Sequence, residues 1–190
     1  MLKTIKELKK ELDVKFLSKN IERDEEGRAV IEMNVRDDSS FLSDYSMADT
    51  PVISSEVAGF LEDRTAYLLP EEPLSLRVYS GSITDEEKVI YRKAIACYYA
   101  DRYASNQREY KKNLLSALFM ALAGIAFLAA MIVCEHLLDN VIWTEVLDIV
   151  AWVFLWEATY MLMIENRLVS FKRKRYLSLT AMKITFIDTP

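Results

Sequence analysis

Two apolar runs stand apart from everything else along the chain. Leu114 to Cys134 reads LLSALFMALAGIAFLAAMIVC, 21 residues without a charge. At a rise of about 1.5 Å per residue, a helix of that length crosses a hydrocarbon core of about 30 Å. Val141 to Ile164, VIWTEVLDIVAWVFLWEATYMLMI, is as long and mostly apolar. Two helices buried in a soluble core would need a large protein to cover them on every side, and the remaining residues are too few and too polar for that. The pattern therefore predicts two transmembrane helices, 114–134 and 141–164. The short segment EHLLDN, Glu135 to Asn140, joins them as the loop of a tight antiparallel hairpin.

The helical pattern extends beyond the apolar runs. Thr84 and Glu87 have capping-box spacing, and Asp85, Glu86 and Glu87 complement the dipole of a helix starting there. No glycine or proline follows before Gly124, so one helix is predicted from Asp85 through the first span. The second continues past Ile164 through NRLVSFKRKRYLSLTAM. The extensions, 85–113 and 165–181, are expected to form a stalk. Ile90, Ala94, Cys97 and Tyr98 supply an apolar stripe for packing on the second helix.

Before Thr84 the period shortens. Arg28 to Arg36 and Leu74 to Ser80 alternate as half-buried strands do, Ser54 caps a brief helix SEVAGFLED, and turn formers fill Asp37 to Pro51 and Glu71 to Pro73. Met182 to Asp188 also alternates and is suited to pair with Leu74 to Ser80. Met1 to Phe16 gathers Leu2, Ile5, Leu8, Leu12 and Phe16 on one helical face. Glu7, Glu11 and Asp13 weaken its attraction to anionic lipid, so it is expected to pack on the lobe. The fold class is thus a mainly α membrane protein. It has a two-helix transmembrane hairpin, long cytoplasmic helical extensions and a small cytoplasmic α+β lobe formed by residues 1–84 and a C-terminal strand within 182–190.

Charge sets the orientation. Lys and Arg number 18 up to Lys112, none from Asn113 to Ile164 and six from Glu165 onward. Loops rich in Lys and Arg stay on the cytoplasmic side. Both termini are therefore predicted cytoplasmic and the loop outward, in what is expected to be a bacterial inner membrane. Met1 to Asn20 lacks a signal-peptide core. Cys97 and Cys134 are too far apart along the chain's helices to pair, which fits a reducing compartment.

Charged groups at membrane depth cost about 2.5–3.5 kcal/mol each on insertion scales, so Glu145, Asp148 and Glu157 are the candidate functional acids. Glu145 and Asp148 share a face near the outer end, whereas Asp148 and Glu157, nine residues apart, lie on opposite faces. Glu157 lies deepest, with no Lys or Arg in either span. If ionised it needs a partner subunit, a cation or water; if protonated it donates a hydrogen bond between helices. Lys172, Arg173, Lys174 and Arg175, flanked by Phe171 and Tyr176, fix topology and are the candidate lipid-headgroup contacts. Ala117, Ala121 and Gly124 on one face of the first span, and Ala123, Ala126 and Ala130 on another, allow close approach on two sides.

No nucleophile-and-base pair, metal-ligand cluster or phosphate loop stands out, and His136 is the single histidine. No catalytic residue, metal site or cofactor is assigned, and the expectation is not an enzyme. The partners expected are the lipid bilayer and, as hypotheses, a homo-oligomer and a cytoplasmic protein; nucleic acid is not among them. The leading function is a lobe that binds something while the hairpin anchors it or transmits the event. The alternative is an oligomeric pore gated by the lobe. The layout of a cytosolic part and two spans is similar to that of small bacterial membrane effectors of defence systems, a similarity of architecture that covers no motif.

Overall fold

A computed structural model describes residues 21–138 and 141–188. The amphipathic helix expected at Met1 to Phe16, the loop residues Asp139 and Asn140, and the last two residues lie outside the described part. The order is β1 (Ala29–Asn34), α1 (Ser55–Thr65), β2 (Leu74–Ser80), α2 (Asp85–Leu138), α3 (Val141–Tyr160), a π turn (Met161–Glu165), α4 (Asn166–Thr180) and β3 (Lys183–Asp188). The chain divides into two compact units, Met1–Tyr103 with Lys174–Pro190, and Ala104–Arg173.

In the first unit the strands form one sheet in the order β1-β2-β3. Leu76 of β2 sits across from Ile31 of β1 and Ile184 of β3, and both pairings are parallel. The expected α+β lobe is corrected here to a parallel, β-α-β wound sheet, because each connection must return to the same end of the sheet as a crossover. The first crossover carries α1. The second is the whole run from α2 to α4, so the chain leaves the sheet at Ser80 and rejoins it on the neighbouring strand at Lys183.

Period-two alternation sends Ala29, Ile31 and Met33, Leu74, Leu76 and Val78, and Ile184 and Phe186 into one hydrophobic core. The opposite face is polar: Arg77 donates to Glu22 at 2.7 Å and the Tyr79 hydroxyl to Glu32 at 2.8 Å. The core is completed by Ala58 and Leu61 of α1, Tyr91, Ala94, Ile95 and Tyr99 of α2, and Leu179 of α4.

The stripe that α2 buries in the lobe differs from the one read from the sequence. Ala94 is buried and Tyr98 packs against the core as expected, but Ile90 and Cys97 are exposed while Tyr91, Ile95 and Tyr99 are buried, which centres the stripe one residue further around the helix. The rings of Tyr91 and Tyr99 carry large apolar area into the core. Tyr91 stacks on Phe41 with ring centroids 4.3 Å apart and its hydroxyl donates to Asp38, while Tyr99 stacks on Tyr176 at 6.1 Å.

Caps follow the sequence. Ser54 accepts from the Val57 amide at the start of α1. At the start of α2 the Glu87 carboxylate accepts from both the amide and the hydroxyl of Thr84, which holds it below the usual carboxylate range. Gly59 lies exposed inside α1 with nothing within 4 Å of a built Cβ. Gly59→Ala is therefore expected to stabilise the lobe by about 0.5–1 kcal/mol in chemical denaturation, because only backbone entropy changes.

The second unit contains the two apolar runs. Its helices are long and apolar enough to cross a membrane, and only 11% of the most apolar window of each is buried. Leu115, Phe119, Leu122 and Ile125 of α2 and Trp152, Val153 and Trp156 of α3 are all exposed. A core helix of a soluble protein would be mostly covered. Where the helices meet, the residues are small: Ala117 and Ala151 are fully buried and Ala158 is 3% exposed. A Cβ added at Gly124 would lie 2.7 Å from Leu155 Cγ and 3.3 Å from the Ala151 carbonyl oxygen. Phe127 and Phe154 stack beside this seam at 5.4 Å. The loop expected at Glu135 to Asn140 is corrected: Glu135 to Leu138 continue α2, and α3 starts at Val141, because nothing in EHLL breaks a helix.

Candidate functional site

The three candidate acids all lie on α3, in the second unit. Glu145 and Asp148 are exposed and Glu157 is half-buried beside the buried Ala158. Three residues of helix separate the first two by about 60° of face and nine separate Asp148 from Glu157 by about 180°, so the structure groups Glu145 with Asp148 and leaves Glu157 apart. Among the described residues the Glu157 side chain makes no ion pair or hydrogen bond. Thr159, two residues on, turns its hydroxyl back to the Leu155 carbonyl at 2.9 Å.

One feature was not legible in the sequence. Helix α3 passes into α4 through the π turn Met161–Glu165, closed by the Asn166 amide donating to the Met161 carbonyl. A π turn inserts one extra residue and offsets the following face by about 100°. Continued as an α-helix from Ala158, the buried face would receive Glu165. With the extra residue it receives Asn166, which is 6% exposed, while Glu165 is half-buried. The turn thus exchanges a carboxylate for a neutral amide on the packed face, which lowers the desolvation cost. Among the described residues the Asn166 Oδ1 has no hydrogen-bond partner. No glycine or proline marks the spot.

The four basic candidates divide between the two units. In the second, Lys172 is exposed, and Arg173 donates to Gln107 Oε1 at 2.9 Å with its guanidinium 4.7 Å from the Tyr110 ring. In the first, Lys174 pairs with Glu71 at 2.6 Å, and Arg175 donates to the carbonyls of Ala66 and Leu68 at 3.4 and 3.2 Å. The Arg175 contacts satisfy carbonyls just past α1, where a helix leaves its last acceptors open.

Among the described residues, two of the lobe's surface grooves are similar in size. One of about 550 Å³ lies past the C-terminal end of β1, floored by Met33, Val35, Phe41 and Phe60 and rimmed by Arg36 and Glu56. The other, about 530 Å³, is lined by Ile21, Val30, Ile31 and Tyr67 with Glu22, Glu32 and Arg64. Among the described residues no group of His, Cys, Asp or Glu is placed to hold a metal ion. Against family models, curated proteins and solved structures, this chain has no match.

Proposed function

We propose that this chain is a two-span membrane protein with a cytoplasmic α/β lobe that binds a protein partner or another subunit, while the hairpin anchors the lobe or transmits the binding event. On this reading it is not an enzyme and works without a cofactor. Both termini lie in the cytoplasm of a bacterial cell and the Leu138–Val141 connection faces outward, as the absence of Lys and Arg between Asn113 and Ile164 favours.

The observation that carries the proposal is topological. The hairpin lies in the crossover between two adjacent strands, β2 and β3, so the chain enters it from one strand of the sheet that would receive the partner and returns from it into the next. A ligand that prefers one spacing of those ends would bias the hairpin by its differential affinity for the two states.

The alternative, an oligomeric pore or ion-conducting effector, draws on Glu157, a half-buried acid without a partner among the described residues. Light scattering of the extracted protein coupled to cation flux in liposomes separates the readings. The anchor reading expects a defined particle, no flux, and no effect of Glu157→Gln. A symmetric oligomer whose cation leak is abolished by Glu157→Gln would replace it with the pore.

A further inference from the structure

Resting on the membrane reading, we infer that the lipid-headgroup site of this protein is a collar of Arg108, Lys111, Lys112 and Arg167, selective for anionic phospholipid, and that Lys174 and Arg175 serve the lobe instead. All four collar residues lie in the second unit and all are exposed. Among the described residues the side chains of Arg108, Lys111 and Lys112 make no hydrogen bond or ion pair, and that of Arg167 makes only a ring contact, 5.8 Å from the Phe171 centroid. Lys174 and Arg175 are committed to Glu71 and to the carbonyls after α1.

Depth favours the collar as well. The headgroup layer is about 5–8 Å thick on each side of the hydrocarbon core. Counted along the helix at about 1.5 Å per residue, Lys111, Lys112 and Arg167 stand about 3–5 Å from the ends of the apolar runs, and Arg108 about 9 Å, within reach of its long side chain. Glu109 and Glu165 share the collar's level and leave the positive charge in excess. Each cation held at an anionic leaflet adds to binding. The apolar runs begin within a turn of the collar, so a phosphate bearing acyl chains fits it better than a free one.

The test uses the full chain, floated with vesicles of phosphatidylcholine alone or mixed with phosphatidylglycerol, followed by mass spectrometry of the lipid retained per protein. The expected result is flotation with both, preferential retention of phosphatidylglycerol, and severalfold loss of that preference in Arg108→Gln/Lys111→Gln/Lys112→Gln/Arg167→Gln. The preference should survive in Lys111→Arg/Lys112→Arg, in Lys174→Gln, and in excess inorganic phosphate. Equal retention of the two lipids by the unaltered chain, or a preference that the fourfold neutralisation leaves intact, would overturn the collar. Failure to float with either vesicle would instead overturn the membrane reading beneath it.

Discussion

Gly124→Leu is expected to lower the thermal unfolding temperature of the detergent-solubilised protein more than any other single change between the two apolar runs. A Cβ alone would meet Leu155 at 2.7 and 2.8 Å and the Ala151 carbonyl oxygen at 3.3 Å. Leu155 can rotate away from an alanine, but a leucine also runs into the backbone of α3, which cannot. Overpacking of this kind costs about 1–3 kcal/mol and more where backbone must move. The small residues Ala117, Ala151 and Ala158 lie in the same seam, so a splay at Gly124 loses their contacts too. Leu155→Ala in the same chain should recover part of the loss, because it frees the volume the new side chain needs. A Gly124→Leu protein with unchanged melting would mean that the two helices do not pack as described.

Tyr99→Ala is expected to be the most damaging substitution in the lobe. The ring is fully buried, stacks on Tyr176 and donates its hydroxyl to the Ala58 carbonyl at 3.2 Å. Removing a buried aromatic ring costs about 3–5 kcal/mol, a large share of the roughly 5–15 kcal/mol that holds an ordinary domain together. Tyr99→Phe keeps the ring and should cost only about 1 kcal/mol for the lost hydrogen bond. Chemical denaturation followed by near-ultraviolet dichroism should show this contrast.

The pH dependence provides a second readout at the same residue. Burial pushes the Tyr99 hydroxyl well above the ordinary tyrosine value of 10.0. The folded form therefore stays neutral where the unfolded chain ionises. The contribution is present below pH 10 and is lost as pH rises beyond it. Tyr99→Phe should flatten the alkaline loss of stability; an unchanged slope would contradict the burial.

Much of this fold was written in local pattern. The two apolar runs, the capping box at Thr84 and Glu87, the Ser54 cap and the three strands are decided by spacing and by residues that touch near neighbours, and they stand where the pattern put them to within a few residues. Pairing of Leu74–Ser80 with the C-terminal strand was also legible from alternation. Its parallel direction followed only once the helical run between them was seen as a crossover.

What the pattern missed was set by tertiary contact. The buried stripe of α2 turned by one residue because Tyr91 and Tyr99 meet Phe41 and Tyr176, residues distant in sequence. The π turn at Met161–Glu165 has no breaker residue and exists because packing selects Asn166 over Glu165 for the covered face. Lys172 to Arg175 read as one basic cluster, yet Lys174 and Arg175 have partners around residues 66–71, which no linear motif could assign. Ala151 and Ala158 are the small residues of α3 in the seam and did not stand out in the second run, whereas Ala117 and Gly124 were among the small residues already conspicuous in the first.

On the proposed topology the apolar runs cross a membrane and return, with the lobe and both termini on the cytoplasmic side. The most direct measurement is labelling by a membrane-impermeant maleimide in intact cells, using single-cysteine chains that carry Cys97→Ser and Cys134→Ser. His136→Cys lies near the outer end of α2 and Tyr45→Cys on an exposed loop of the lobe. The His136→Cys chain is expected to be labelled from outside and the Tyr45→Cys chain only after permeabilisation. Labelling of the lobe in intact cells, or labelling of neither site until the cells are opened, would contradict it.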